Sequence, residues 1–181
     1  IHMTMAFMGG LWGAYSVVQW TNLGNAHTTN LIKIVLRLID GDWLEFALCV
    51  GSAFLYFLAF ALSAYWSKHS KSDLRYAVII VEAVSLAAVY FFPQNWPVYT
   101  RLYPCVFATA FQWSIFCGAQ GFNCATIFNS NNYRQFSSSF AEVYLNKDPS
   151  FRPKMKFFGC TLLFYHFGVV YVLSLIHISE P

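Results

Sequence analysis

Charge is what this sequence has least of. Of its 181 residues only 10% are Asp, Glu, Lys or Arg, whereas 57% are hydrophobic and 20% aromatic. A soluble domain carries about 25% charged residues, so this chain lacks the polar surface that a water-exposed body of its size requires. The net charge of +3 is small, and no basic run has the density that nucleic-acid binding needs. Cys49, Cys105, Cys117, Cys124 and Cys160 contain no C-x-x-C pair and mostly lie in apolar runs. That excludes the usual zinc spacing, argues against a disulfide framework, and leaves small packing residues. There is no nucleophile elbow, P-loop, zinc-protease helix or haem pair, so no enzyme, metal or cofactor is expected. No basic n-region with a cleavage site is present either, and a secretory signal peptide is unsupported.

What the chain does have is apolar segments along its whole length. Five can be drawn: Met5–Trp20, Leu44–Trp66, Leu74–Phe92, Val98–Gln120 and Phe157–Leu175. A span needs about 20 apolar residues; Met5–Trp20 is slightly short for one, and Leu44–Trp66 is long enough to cross with some tilt. Trp20, Trp43, Trp66 and Trp96 stand near segment ends, where amphipathic rings favour the headgroup layer. The fold class expected is all-α, a polytopic helical membrane bundle forming one integral membrane domain over residues 1–175. Ile1-His2-Met3 reads as an expression remnant or an arbitrary start. Residues 176–181, in the run Ser174-Leu175-Ile176-His177-Ile178-Ser179-Glu180-Pro181, read as a non-native tail.

The basic residues give an orientation. Lys68, Lys71 and Arg75, with His69, crowd the second connection, and Arg134, Lys147, Arg152, Lys154 and Lys156 crowd the fourth. Both are expected to be cytoplasmic. The Thr21–Trp43 stretch, with Lys33 and Arg37 offset by Asp40 and Asp42, and the turn Pro93–Pro97 then fall outside. The N-terminus is cytoplasmic in this scheme. Thr21–Trp43 is too polar to face lipid, but Leu31–Ile39 is apolar enough to pack on the bundle.

A weak internal echo runs through this pattern. From Gly13 through His27-Thr28-Thr29-Asn30-Leu31 to Gly51 the chain reads apolar helix, small glycine-containing stretch, hydroxyl and amide cluster, amphipathic stretch, apolar helix. The order returns from Gly118 through Asn129-Ser130-Asn131-Asn132-Tyr133 to Gly159. The two arms, about 5–92 and 98–175, are separated by an odd number of crossings and form an inverted-topology repeat of three spans each. Five spans of an expected six are present, the second arm being incomplete. Paired polar breaks of this kind point to a binding site in membrane proteins.

The candidate solute-binding residues are Thr28, Thr29, Asn30, Gln120, Ser130, Asn131 and Asn132. Hydroxyls and amides here either satisfy freed backbone groups as helix caps or bind a solute. Glu82 is the acidic residue well inside an apolar run, where a charge costs about 2.5–3.5 kcal/mol. It is either a proton- or ion-coupling carboxylate or a hydrogen-bonded packing residue. Gln112, Gln120 and Asn123 share one face if their helix continues, as a polar path or as interhelical glue. His166 reads as a hydrogen-bonded core residue or a proton relay, and His27 as a candidate pH gate. Arg134 reads as a cytoplasmic anchor or an anion-steering group. Gly9, Gly10, Gly13 and Ala14, with Gly51, Ser52 and Ala53, read as close-packing faces.

The motifs Gly9-Gly10…Gly13-Ala14-Tyr15…Asn25-Ala26-His27-Thr28-Thr29-Asn30-Leu31 and Gly118-Ala119-Gln120…Ala125-Thr126…Ser130-Asn131-Asn132-Tyr133-Arg134-Gln135 resemble the YoaK family of bacterial membrane proteins. That family repeats a Thr-Gly-Asn-Leu motif after its helices. Thr29 and Asn131 replace the central glycine here, and Asn131 still tolerates left-handed backbone. The resemblance covers all but the tail. It implies about six spans in the bacterial cytoplasmic membrane and no established activity. The function expected is transporter-like, moving or binding a small solute between inverted repeats. The alternative is a non-transporting membrane sensor or scaffold. The expected partners are the lipid bilayer and a small solute, not nucleic acid, with a homo-oligomer also admitted.

Overall fold

The structure is a computed structural model that describes residues 1–20, 27–93 and 95–179, with the side chains of Trp20 and of 176–179 excepted. Its elements are α1 (His2–Trp20), α2 (His27–Asp40), α3 (Trp43–His69), α4 (Leu74–Phe91), α5 (Val98–Ile115), a two-residue hairpin of β1 (Gly118–Ala119) and β2 (Phe122–Asn123), α6 (Ser130–Tyr144) and α7 (Arg152–Ser179), the last entered through a 3-10 turn at Pro149–Phe151. The all-α expectation holds. Three stretches among the described residues are long and apolar enough to cross a membrane: Trp43–His69, Leu74–Phe91 and Pro149–Leu175. The chain therefore reads as an integral membrane protein. The glycine-containing break of the first arm and the residues Asn25 and Ala26 fall outside the described residues, as does the end of the tail.

Two compact units divide the chain: 1–15 with 116–181, and 16–115. In the second unit α2 packs on α3, and α5 packs on both α3 and α4. Gly41 carries a φ of 73° at the α2–α3 corner, a left-handed turn that suits glycine. Asp42 then caps α3 by accepting from the Glu45 amide at 3.1 Å. This short corner makes α2 fold back along the first half of α3. In the first unit α6 packs on α7, and Asp148 caps the turn into α7 by accepting from the Ser150 amide at 2.9 Å. Gly10 and Gly168 bring α1 and α7 together closely. A Cβ on Gly10 would run into the Tyr165 carbonyl oxygen, and one on Gly168 into that of Phe7.

The fourth apolar segment ends early. The expected helix over Val98–Gln120 stops at Ile115, and the chain turns through a hairpin with Ala119 opposite Phe122. Gln120 and Gly121 form its two-residue loop with φ of 53° and 81°, the signature of the tight hairpin turn whose twist matches its strands. Gln112, Gln120 and Asn123 therefore do not share a helical face. Gln112 is buried in α5, whereas Gln120 is exposed in the hairpin loop and Asn123 is exposed in β2.

Candidate functional site: two buried asparagines

Each polar cluster folds as the first turn of an amphipathic helix, α2 or α6. In both, the asparagine of the motif points inward. Asn30 is 2% exposed and is the one buried residue of α2, and Asn132 is fully buried. Thr28, Thr29 and Ser130 are exposed and Asn131 is half-buried, accepting at 3.0 Å from the exposed Arg134. The clusters thus separate into one buried amide each and a rim of exposed hydroxyls.

The depth of the two asparagines is fixed by their neighbours. His27 stacks on Tyr56 with ring centroids 4.2 Å apart, and Arg37 pairs with Glu45 at 2.7 Å. These two contacts set α2 antiparallel to α3, with His27 level with Tyr56, the middle of the Trp43–His69 helix. Asn30 then falls opposite the α3 turn that carries Ser52, which is 1% exposed. In the other unit the Cys124 thiol donates to Asn132 Oδ1 at 3.2 Å and lies 3.8 Å from the Thr161 hydroxyl. Phe136 lies against Gly159. Thr161 is at the middle of Pro149–Leu175. Both helices therefore begin level with the centre of the long apolar helix beside them.

The two amides are bonded in opposite ways. Asn132 Nδ2 donates to the Ala125 carbonyl at 2.7 Å, to Asn129 Oδ1 at 3.2 Å and to the Phe128 carbonyl at 3.4 Å. With the Cys124 thiol on its oxygen, both ends of the side-chain amide are bonded. It ties the start of α6 to the Ala125 carbonyl, within the buried, non-helical run Cys124–Ile127. The Thr161 hydroxyl closes the cluster by donating to the Phe157 carbonyl at 3.0 Å. Asn30 Oδ1, by contrast, has no hydrogen-bond partner among the described residues, and neither does Ser52 Oγ. An unpartnered buried polar group costs about 1–3 kcal/mol, so these two atoms, like His27 Nδ1, are places where the second unit has hydrogen-bonding capacity to spare.

Glu82 is 3% exposed in α4, on a buried stripe with Val78, Ser85 and Val89. Cys105 of α5 lies within electrostatic reach of it. His166 is exposed rather than in the core, with Nδ1 held to the Leu162 carbonyl at 2.7 Å. An open groove of about 370 Å³ runs between α3 and α5 along Phe60, Ser63, Ala64, Ser67, Ser114 and Ile115, and none of the predicted site residues lines it. Among the described residues no cluster of His, Cys, Asp or Glu could hold a metal ion. Ser52, Cys124 and Thr161 were not among the residues the sequence singled out for a polar role. Cys124 had read as apolar packing, and the signal available for it was its place eight residues before Asn132.

Residues 1–176 match a family described as a protein of unknown function, DUF1275. The chain belongs to that family. The match spans both asparagine helices and both long apolar helices beside them, in keeping with the resemblance that the two Asn-containing motifs carry. No curated protein matches the chain, and no solved structure does.

Proposed function

We propose that the protein binds and moves a small polar solute at mid-height of its membrane-crossing helices, beside the first turn of α2. The observation that carries this is Asn30, buried level with the centre of α3 and holding an Oδ1 unpartnered among the described residues, opposite the α3 turn of Ser52, whose Oγ is likewise unpartnered. Helix starts of this kind at mid-membrane serve solute sites in transporters. Because the spare atom on Asn30 is an acceptor, the solute presents a hydrogen-bond donor there. Thr28 and Thr29 are the exposed approach, and Ser130 and Asn131 hold the matching place at α6.

The order long helix, amphipathic helix, long apolar helix occurs twice, with α2 and α6 of 14 and 15 residues before α3 and α7 of 27 and 28. This supports an inverted repeat of three spans per arm, with α1 and α5 as further crossings. Glu82, buried on an apolar helix, is the candidate coupling carboxylate. No enzymatic step is proposed.

The test is thermal stabilisation of the purified protein by a panel of polar metabolites and ions. A ligand raises stability by mass action, and its effect should vanish in Asn30→Leu while that variant still melts cooperatively. A ligand shift that persists in Asn30→Leu removes the site. A second reading, a non-transporting sensor or scaffold, draws on Asn132, whose bonding at both ends of the amide is that of a structural fastening. It predicts that no solute shifts the melting temperature.

A further inference from the structure

α2 turns Asn30 and its two basic residues inward and its aliphatic side chains outward. Asn30, Lys33 and Arg37 recur at the spacing of one helical face. Their neighbours belong to the protein: Lys33 lies 5.7 Å over the Tyr99 ring of α5, and Arg37 pairs with Glu45 of α3. The other face carries Leu31, Ile32, Val35, Leu36, Leu38 and Ile39, which are 47–76% exposed. The sequence led to the opposite arrangement, with this apolar run packed on the bundle. A helix at a protein–water boundary presents its charges to water and its apolar stripe to the core, so water is the wrong solvent for this face.

We propose that the outward face of α2 lies in the hydrocarbon of the bilayer, as a half-depth helix running beside the first half of α3, rather than in an extramembrane connection. At about 1.5 Å per residue its 14 residues reach about 21 Å, too short to cross a core of about 30 Å but long enough to reach its middle. α3 supplies the continuity: Val50, Phe54 and Phe57 are 41–66% exposed along a helix long enough to cross. The composition of the face favours lipid over a second copy of the chain. Beyond the exposed threonines of its first turn it is aliphatic, without the Tyr, Trp and Arg that anchor protein interfaces. The inward pairing of Lys33 and Arg37 is what an intramembrane position demands, since charges there face protein partners. This assignment is independent of whether a solute binds at Asn30.

The experiment places a photoreactive benzophenone residue singly at Ile32 or Leu36 in the full chain, reconstituted in phosphatidylcholine vesicles, with the same residue at Phe57 and at Lys71 as references. Each labelled protein is irradiated and its intact mass measured. Phospholipid adducts at Ile32 and Leu36 with a yield close to that at Phe57, and none above background at Lys71, are expected. Cross-linking to a second chain at Ile32 or Leu36 would overturn the proposal. So would the absence of lipid adducts there while Phe57 labels. All three α2 and α3 positions are exposed, so the label displaces no buried contact, and the two α2 sites are read separately.

Discussion

Replacing each motif asparagine by leucine, nearly its isostere, should produce opposite results. Asn132→Leu removes three donated bonds and one accepted bond. It leaves the Ala125 carbonyl, 8% exposed at its residue, and the Cys124 thiol without that partner. Measured interhelical hydrogen bonds in membrane proteins average about 0.6 kcal/mol each, and one buried group left unpaired costs about 1–3 kcal/mol. The two routes agree on a loss of about 2 kcal/mol. For a chain of this size that lowers the melting temperature by about 4–8 °C. Asn30→Leu removes an oxygen that has no partner among the described residues, so the expected change is within about 0.5 kcal/mol of zero or stabilising. The assay is thermal unfolding of both variants in one detergent at one scan rate, since apparent midpoints of irreversible transitions depend on rate. Equal losses in the two variants would refute the assignment of one amide as a fastening and the other as a spare acceptor. So would an Asn132→Leu protein as stable as the parent.

Gly10→Ala should destabilise by about 1–3 kcal/mol, because the new methyl meets the Tyr165 backbone rather than a yielding side chain. Melting of this variant beside Gly121→Ala, whose Cβ would meet nothing within 4 Å but whose φ is 81°, separates steric from conformational cost. Glu82→Gln keeps shape and burial, so folding should survive, whereas any pH dependence of solute uptake should disappear; unchanged pH dependence would remove Glu82 from coupling. Asp73 caps α4, and the Arg75 side chain and amide hold its carboxyl below the ordinary 3.8. Its folded pKa is depressed, so its contribution is present above 3.8 and is lost as pH falls through the lower folded value. The stability gap between the parent and Asp73→Asn should therefore be visible at pH 7 and close under acid. The effect is small because the pair is exposed.

Most of the helices were legible because apolar runs and their punctuation are local properties. Leu44–Trp66 grew only to Trp43–His69, and Leu74–Phe92 only lost its last residue, with Asp42, Asp73 and Pro93 marking the boundaries. The end of α5 was missed because the apolar pattern continues through Phe116 and Cys117 while the backbone does not. The available signal was Gly121 following Gln120, a dipeptide that accepts two positive φ angles in a row. The clusters were found, but their bonding was not. Asn30 and Asn132 occupy matching motif positions, and only the fold shows that Ala125, Asn129 and Cys124 surround one of them. The sense of α2 was illegible for a different reason. Periodicity shows that a helix has an apolar face, not which solvent that face meets.

The reversal at α2 and the bonded amide at α6 belong to one pattern. Two helices of nearly equal length start beside the centres of long apolar helices, and each begins with a buried amide. In α6 the amide is spent on the Ala125 carbonyl of the buried, non-helical run Cys124–Ile127. That arm is locked, and its exposed residues mix Arg134, Ser137 and Ser138 with Tyr133, Phe140 and Tyr144 rather than forming an aliphatic face. In α2 the amide oxygen is not spent, the charges are drawn inward, and the outward face is hydrocarbon. A device with one locked arm and one arm with a free acceptor is asymmetric where its sequence motif is symmetric. The asymmetry predicts where solute specificity resides: exchanging Ser52 for alanine should change which donors are accepted at Asn30, whereas exchanging Thr161 for valine should change stability alone. Equal effects of both exchanges on solute selectivity, read by ligand-induced melting shifts, would return the site to the two arms jointly.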